Sequence, residues 1–215
     1  MKPPLRLILA SSSPQRRRLL AEAGFRFEVV PPHESAECGI CSTGGPASLV
    51  VELAVNKAAD VVAQLKHRGD VGAGALILAC DTVAECGGEV LGKPHDENHA
   101  RGMLQRLRGT VHRVYSGLCL WRLSGDGGSA DSDSEDPDVR LAMSELEMDP
   151  ITDAELEEYL DSGLWEGKAG AFGYQDRVGW LHLRRGTEEN VIGLPIDLVV
   201  DMLAAHGVSP QGRGI

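Results

Sequence analysis

The stretch Leu7-Ile8-Leu9-Ala10-Ser11-Ser12-Ser13-Pro14-Gln15-Arg16-Arg17-Arg18-Leu19-Leu20 decides how this chain is read. An apolar run forms a short strand, and three hydroxyl residues carry it into a helix. Ser13 is a good N-cap and Pro14 a natural first helical residue. The free N–H groups and the positive end of the helix dipole therefore point at whatever lies beside the strand end, which makes an anion cradle. Arginine ordinarily favours the last turn of a helix, so Arg16, Arg17 and Arg18 in the first turn call for an anionic partner. Phosphate is the obvious guest.

Outward from this segment, the chain has 215 residues and a formal net charge of −11. That length supports one domain or two closely packed lobes with a real core. The acidic balance argues against a general nucleic-acid binder, and an anionic ligand needs a local basic pocket. The run from Leu5 to Ala10 is too short for a membrane span or a signal segment, so the cytoplasm is expected and no membrane contact. Five cysteines, an odd number, do not make a disulfide framework. Cys38 and Cys41 form a lone C-x-x-C with no second pair at zinc-ribbon spacing.

Strands and helices alternate along the chain. After the first helix, which ends near Gly24, Phe25 to Val30 reads as a strand stopped by Pro31-Pro32, with His33 and Glu34 in the following loop. A long helix from Gly44-Gly45-Pro46 to about Lys66 carries an apolar stripe of Leu49, Leu53 and Val61, with Lys57 in the same row. A lysine there either snorkels to solvent or is aimed at a buried anion, and position alone does not decide. Ala75 to Cys80 reads as a buried strand delivering Asp81-Thr82 at its end, and Gly87-Gly88 as a hairpin turn before Gly92-Lys93-Pro94.

A helix from His95 to Arg108 stops at Gly109, and Val111 to Leu123 is the next strand. Ser124 to Asp138, rich in Gly, Ser and Asp, reads as a mobile surface loop. Val139 to Met148 is extended, and Thr152-x-x-Glu155 is a capping box opening a helix to Leu160. Val178 to Leu183 is another strand, Leu194 to His206 the last amphipathic helix, and 209–215 a tail. The pattern predicts an α/β fold around a mixed twisted sheet with flanking helices.

Assembled in order, these pieces resemble the Maf family of nucleotide pyrophosphatases over essentially the whole chain, as a single domain. The resemblance is carried by Leu9 to Pro14 with Arg16, by Glu34, Lys57, Asp81-Thr82 and Gly92-Lys93-Pro94, and by Gly109-x-x-His112-x-Val114-Tyr115-Ser116-Gly117. Further on come Tyr159 to Gly163, Lys168 to Gln175, and Asn190-Val191-Ile192-Gly193-Leu194-Pro195. It implies two lobes around a central nucleotide cleft, a homodimer, a divalent cation such as Mg²⁺ or Mn²⁺, and hydrolysis of a nucleoside triphosphate to the monophosphate and pyrophosphate. Family members are also associated with septum formation.

A nucleoside triphosphate carries about four negative charges, and its cleavage builds more on the leaving group, so positioning and electrostatics dominate such a reaction. The resemblance implies that Arg16, Lys57, Lys93 and Lys168 converge on the substrate; without it, Lys93 and Lys168 read as solvated loop lysines. It places the catalytic carboxylate at Asp81, with Glu34 as second metal carboxylate, in place of a plain loop glutamate. One or two carboxylates suffice for a hard cation that also takes phosphate oxygens and water. Ser11 and Ser13 can give hydrogen bonds to phosphate, Ser11 the better candidate because Ser13 is used as the cap. His112 reads as a structural partner in its strand, and Asn190 as the residue fixing the loop before the last helix.

Base selection, by the same resemblance, rests on Gln15, Thr82 and Gln175. Thr82 and Gln175 match the subgroup acting on dTTP and UTP, whose first residue of the set is arginine. Gln15 departs from it, and Asp176 stands where glycine usually follows the late Gln. Alternatives are a pyrophosphatase for 7-methyl-GTP or another modified nucleotide, and a non-catalytic nucleotide-binding regulator of cell division.

Overall fold

In a computed structural model, residues 5–37, 44–72, 74–125, 136–176 and 179–211 are described. Strand β1 (Arg6–Ala10) leads into helix α1 (Pro14–Glu22), and β2 (Glu28–Val29) into a short 3-10 turn at Glu34–Glu37. Helix α2 (Gly45–His67) is followed by β3 (Gly74–Cys86), β4 (Glu89–Leu91) and α3 (Glu97–Leu107). The long strands β5 (Val111–Ser124) and β6 (Asp138–Met148) precede α4 (Asp153–Asp161), β7 (Leu181–Arg185), α5 (Glu188–Ile192) and α6 (Ile196–Ala205). Together they form a seven-stranded sheet in the order β2-β1-β3-β5-β6-β7, with β4 paired to β3. β1 runs parallel to β2 and β3, whereas β3–β4 and β6–β7 are antiparallel. The sheet is mixed, as the alternation of elements predicts.

The chain divides into two compact units. One holds Met1–Asp81, Gly117–Leu141 and Ile196–Ile215; the other holds Thr82–Ser116 and Ala142–Pro195. In the first, Ala54, Ala58, Val61 and Leu65 of α2 pack on Ile8, Ala10, Ile77, Ala79 and Cys119, all fully buried. The second has its own core of Leu104, Leu107, Leu146, Met148, Leu156 and Tyr159.

Local signals hold. Ser13 Oγ accepts from Arg16 N as the N-cap of α1. The capping box of Thr152 and Glu155 forms at α4. Gly87 and Gly88, with φ of 61° and 86°, turn the β3–β4 hairpin in the left-handed conformation that a tight two-residue turn requires.

Three strands differ in extent by more than one residue. β3 does not end at Cys80: its parallel ladder with β1 stops at Ala79, but the strand runs on through Asp81 to pair with β4 at Ala84–Cys86. Of the stretch Phe25–Val30, only Glu28–Val29 pairs with β1, because Pro31 and Pro32 supply no N–H to extend the ladder and Phe25 is buried instead. The last strand begins at Leu181 rather than Val178, where pairing with Met148 starts. Cys38, Cys41 and most of the loop expected at 124–138 lie outside the described residues, as do the last four residues of the tail; within it, Gln211 N donates to Gly24 O at 2.8 Å.

Candidate active site

Three adjacent parallel strands release the chain at one edge of the first unit. Ala10 lies opposite Ala79, and Leu9 opposite Val29, so β1, β2 and the parallel part of β3 reach the same side of the sheet. From β1 come Ser11 and Ser13, from β3 comes Asp81, and from β2 comes the loop to Glu34. Ligands gather at the carboxyl ends of such strands.

Ser11 is buried, and its Oγ accepts from Ser13 N at 3.1 Å, which leaves the hydroxyl proton to donate to an incoming oxygen. Ser13 Oγ, already accepting from Arg16 N at 3.4 Å, donates to Gln15 Oε1 at 3.0 Å. The cap thus holds Gln15 against the start of α1. Arg16 is half-buried on the first turn of that helix.

Lys57 is only 4 % exposed, and its ammonium is not snorkelling. Its Nζ donates to Asp81 Oδ1 at 2.5 Å, so the lysine in the apolar stripe is aimed at a buried anion belonging to the chain itself. Burial lowers the local dielectric and strengthens this pair relative to one in water.

A second device, unseen in the sequence, holds the loop before Glu34. Asp60, on α2, takes His33 N at 2.9 Å and the His33 ring at 2.9 Å. Gln64 Nε2 donates to both Asp60 Oδ2 at 2.8 Å and Pro31 O at 3.0 Å. Burial works to raise the Asp60 carboxyl, but hydrogen bonds from His33 and Gln64 hold it below its ordinary value. Asp60 stands three residues after Lys57, the spacing of neighbours on one helix face, but that spacing does not point to His33.

The second unit carries the remaining candidates. Thr82 Oγ1 is 2.8 Å from Ser116 Oγ and donates to Gly193 O at 3.4 Å. Asn190 is buried in α5, just ahead of the loop before α6, and its Nδ2 donates to Val114 O at 3.3 Å and Ser144 Oγ at 2.8 Å. Lys93 is exposed just after β4. Lys168 Nζ bonds both oxygens of Asp176, at 2.5 and 2.6 Å. The backbone of Gln175 lies in a 3-10 turn, Tyr174–Asp176; its side chain is outside the described residues. His112 is buried, and desolvation drives its imidazole down to about 4, so it is neutral at pH 7.

Among the described residues no three His, Cys, Asp or Glu side chains gather as a metal cluster, and no helix is long and apolar enough to cross a membrane. Cys80, Cys86 and Cys119 are buried thiols that form no disulfide.

Comparison with known proteins adds a second line of observation. A family model described as Maf-like protein matches residues 6–206. A protein of Rhodopirellula baltica named dTTP/UTP pyrophosphatase is 46% identical over 201 residues, covering 93% of this chain and 82% of the relative. One of the same name from Clostridium tetani is 35% identical, covering 95% of this chain and all of the relative. A third, from Salinibacter ruber, is 37% identical, with coverage of 88% and 85%.

Proposed function

This chain belongs to the Maf family, and on that premise we propose that it is a nucleoside triphosphate pyrophosphatase that hydrolyses dTTP and UTP to the monophosphate and pyrophosphate. The observation that carries the reading is the buried Lys57–Asp81 pair at 2.5 Å, at the same strand edge as the Ser11–Ser13 cradle. A carboxylate and an ammonium there serve opposite needs of phosphate hydrolysis.

Asp81 accepts a hydrogen bond from the attacking water, orients it and takes up its proton. Lys57 fixes Asp81 and adds positive charge where phosphate oxygens lie. Ser11 and the first N–H groups of α1 receive phosphate oxygens, and Arg16 balances the charge that builds on the leaving pyrophosphate. Lys93 serves as a further phosphate contact, and Gln15, Thr82 and Gln175 read the base. A site that hydrogen-bonds a base edge discriminates strongly, because the wrong base leaves polar groups unpaired.

The residues fit a divalent cation such as Mg²⁺ or Mn²⁺ that arrives with substrate. Asp81 and Glu34 would hold it, which matches the one or two carboxylates such an ion takes beside phosphate oxygens. When bound, the ion supplies a Lewis acid to the reacting phosphate. A cytoplasmic setting and a homodimer are the expected ones.

The test is pyrophosphate release from dTTP, UTP, CTP, GTP and 7-methyl-GTP with Mg²⁺ or Mn²⁺. Selective turnover of dTTP and UTP is expected. Preference for 7-methyl-GTP overturns the base assignment, and a silent panel overturns the catalytic reading in favour of a nucleotide-binding regulator.

A further inference from the structure

We infer that Asp176 is a positioning residue for base selection, and that Lys168 acts by clamping Asp176 rather than by touching phosphate. This rests on the activity proposed above and concerns how the same site chooses its nucleotide.

The Asp176 side chain is 6% exposed and that of Lys168 17%. The carboxylate accepts from Lys168 Nζ at 2.5 and 2.6 Å, from Tyr159 Oη at 2.8 Å and from Gly173 N at 3.2 Å. Burial, with the hydrogen bond to Asp176, pushes the Tyr159 hydroxyl well above its ordinary range, so it is a donor throughout neutral pH. With both oxygens of Asp176 on its ammonium, Lys168 is already committed, and a phosphate would compete with a charge-assisted pair in a poorly solvated place. Buried ion pairs often contribute little stability beyond apolar groups of the same shape. Fixing one conformation is the better account of this one.

The conformation it fixes is strained. Gly170 and Ala171 both lie in the left-handed region, at φ 70° and 61°, and Ala171 is the one non-glycine residue there among the described residues. Such a residue costs on the order of 1 kcal/mol or more and persists only where its surroundings over-determine it. Here Gly170 N donates to Gly92 O at 3.0 Å, while Phe172 stacks on Trp180 at 5.6 Å and lies 4.8 Å from Tyr159. The Lys168–Asp176 bond closes the segment from its two ends.

Two functional positions hang on that closure. Gln175 immediately precedes Asp176 in the same 3-10 turn, so the clamp sets its backbone. Gly92, which receives the Gly170 hydrogen bond, immediately precedes Lys93. The aspartate that follows Gln175 is thus the anchor of the residue proposed to read the base.

The experiment is a double-mutant cycle on Lys168→Gln and Asp176→Asn, measuring kcat and KM for UTP, dTTP and CTP beside thermal unfolding. Each single change is expected to cut the preference for UTP over CTP by about 10-fold, since a small misplacement of a positioning group has effects of that order or larger. The double variant should be no less selective than the worse single. Should a single variant unfold below assay temperature, the double, which removes both charges of the pair, carries the test alone. Unchanged base preference, with KM for every nucleotide raised equally by Lys168→Gln only, overturns the inference and makes Lys168 a phosphate contact. If wild-type protein is selective and the variants remain so, this inference alone falls; a wild-type protein that turns over nothing removes the proposed activity and this inference with it.

Discussion

Lys57 Nζ and Asp81 Oδ1 are 2.5 Å apart, with side chains 5% and 13% exposed, and they join the middle of α2 to the point where the parallel part of β3 has just ended. The pair has a structural role that is separable from the chemical role proposed for it. Asp81→Asn removes the carboxylate charge beside a buried ammonium, and should lower unfolding free energy by about 3 kcal/mol and turnover by about 100-fold or more. Replacing both, Lys57→Met with Asp81→Leu, should recover most of the stability, because apolar groups substitute well for a buried ion pair. Activity should not return. Urea unfolding and pyrophosphate release check this; turnover near wild type in Asp81→Asn rules out its catalytic role.

Lys93 offers the contrast. It is exposed after β4, so Lys93→Met should change stability by no more than about 0.5 kcal/mol. If it contacts the triphosphate in the transition state, kcat/KM falls by about 100-fold while the melting temperature is unmoved. A variant with normal kinetics would return Lys93 to the solvated loop lysine that its position alone suggests.

Much of the frame was legible because it depends on neighbours in sequence. The Ser13 cap, the Gly87-Gly88 hairpin and the Thr152–Glu155 box are each written within a few residues. The extent of β3 was not: a polar Asp81-Thr82 looks like a strand end, whereas the ladder with β4, a partner beyond the turn, carries the strand to Cys86. Lys57 showed the same limit. Its place in an apolar stripe left two fates open, and the choice was made by Asp81, 24 residues away. The Asp60–His33 contact and the Lys168–Asp176 clamp are tertiary too, and helix or strand periodicity does not encode them.

His112 predicts a pH dependence of stability. Buried neutral, its pKa falls from 6.5 to about 4, so between those values the unfolded chain binds the proton and the folded chain does not. Stability thus rises with pH through this window, is complete above about 6.5 and is lost as pH falls towards 4, by on the order of 3 kcal/mol in all. Urea midpoints at pH 7, 5.5 and 4.5 should show that slope, and His112→Phe should flatten it. An unchanged slope in the variant would assign the acid sensitivity to other groups.

Gly117 explains why one residue of the Val114 to Gly117 stretch admits no side chain. A Cβ there would lie 2.3 Å from Val50 O and 2.4 Å from Val50 C, backbone atoms of α2 that have no freedom to swing aside. Gly117→Ala must push α2 off β5, at about 3 kcal/mol, towards the upper end for overpacking a core. Because α2 carries Lys57, the same shift should pull Lys57 from Asp81 and lower turnover in the protein that remains folded. Gly102→Ala is the control: it lies exposed within α3, where a Cβ meets nothing within 4 Å, and should gain about 0.5–1 kcal/mol from helix propensity. Thermal unfolding with pyrophosphate release separates the two, and a Gly117→Ala protein as stable and active as wild type would show that α2 does not need this close approach to hold Lys57 in place.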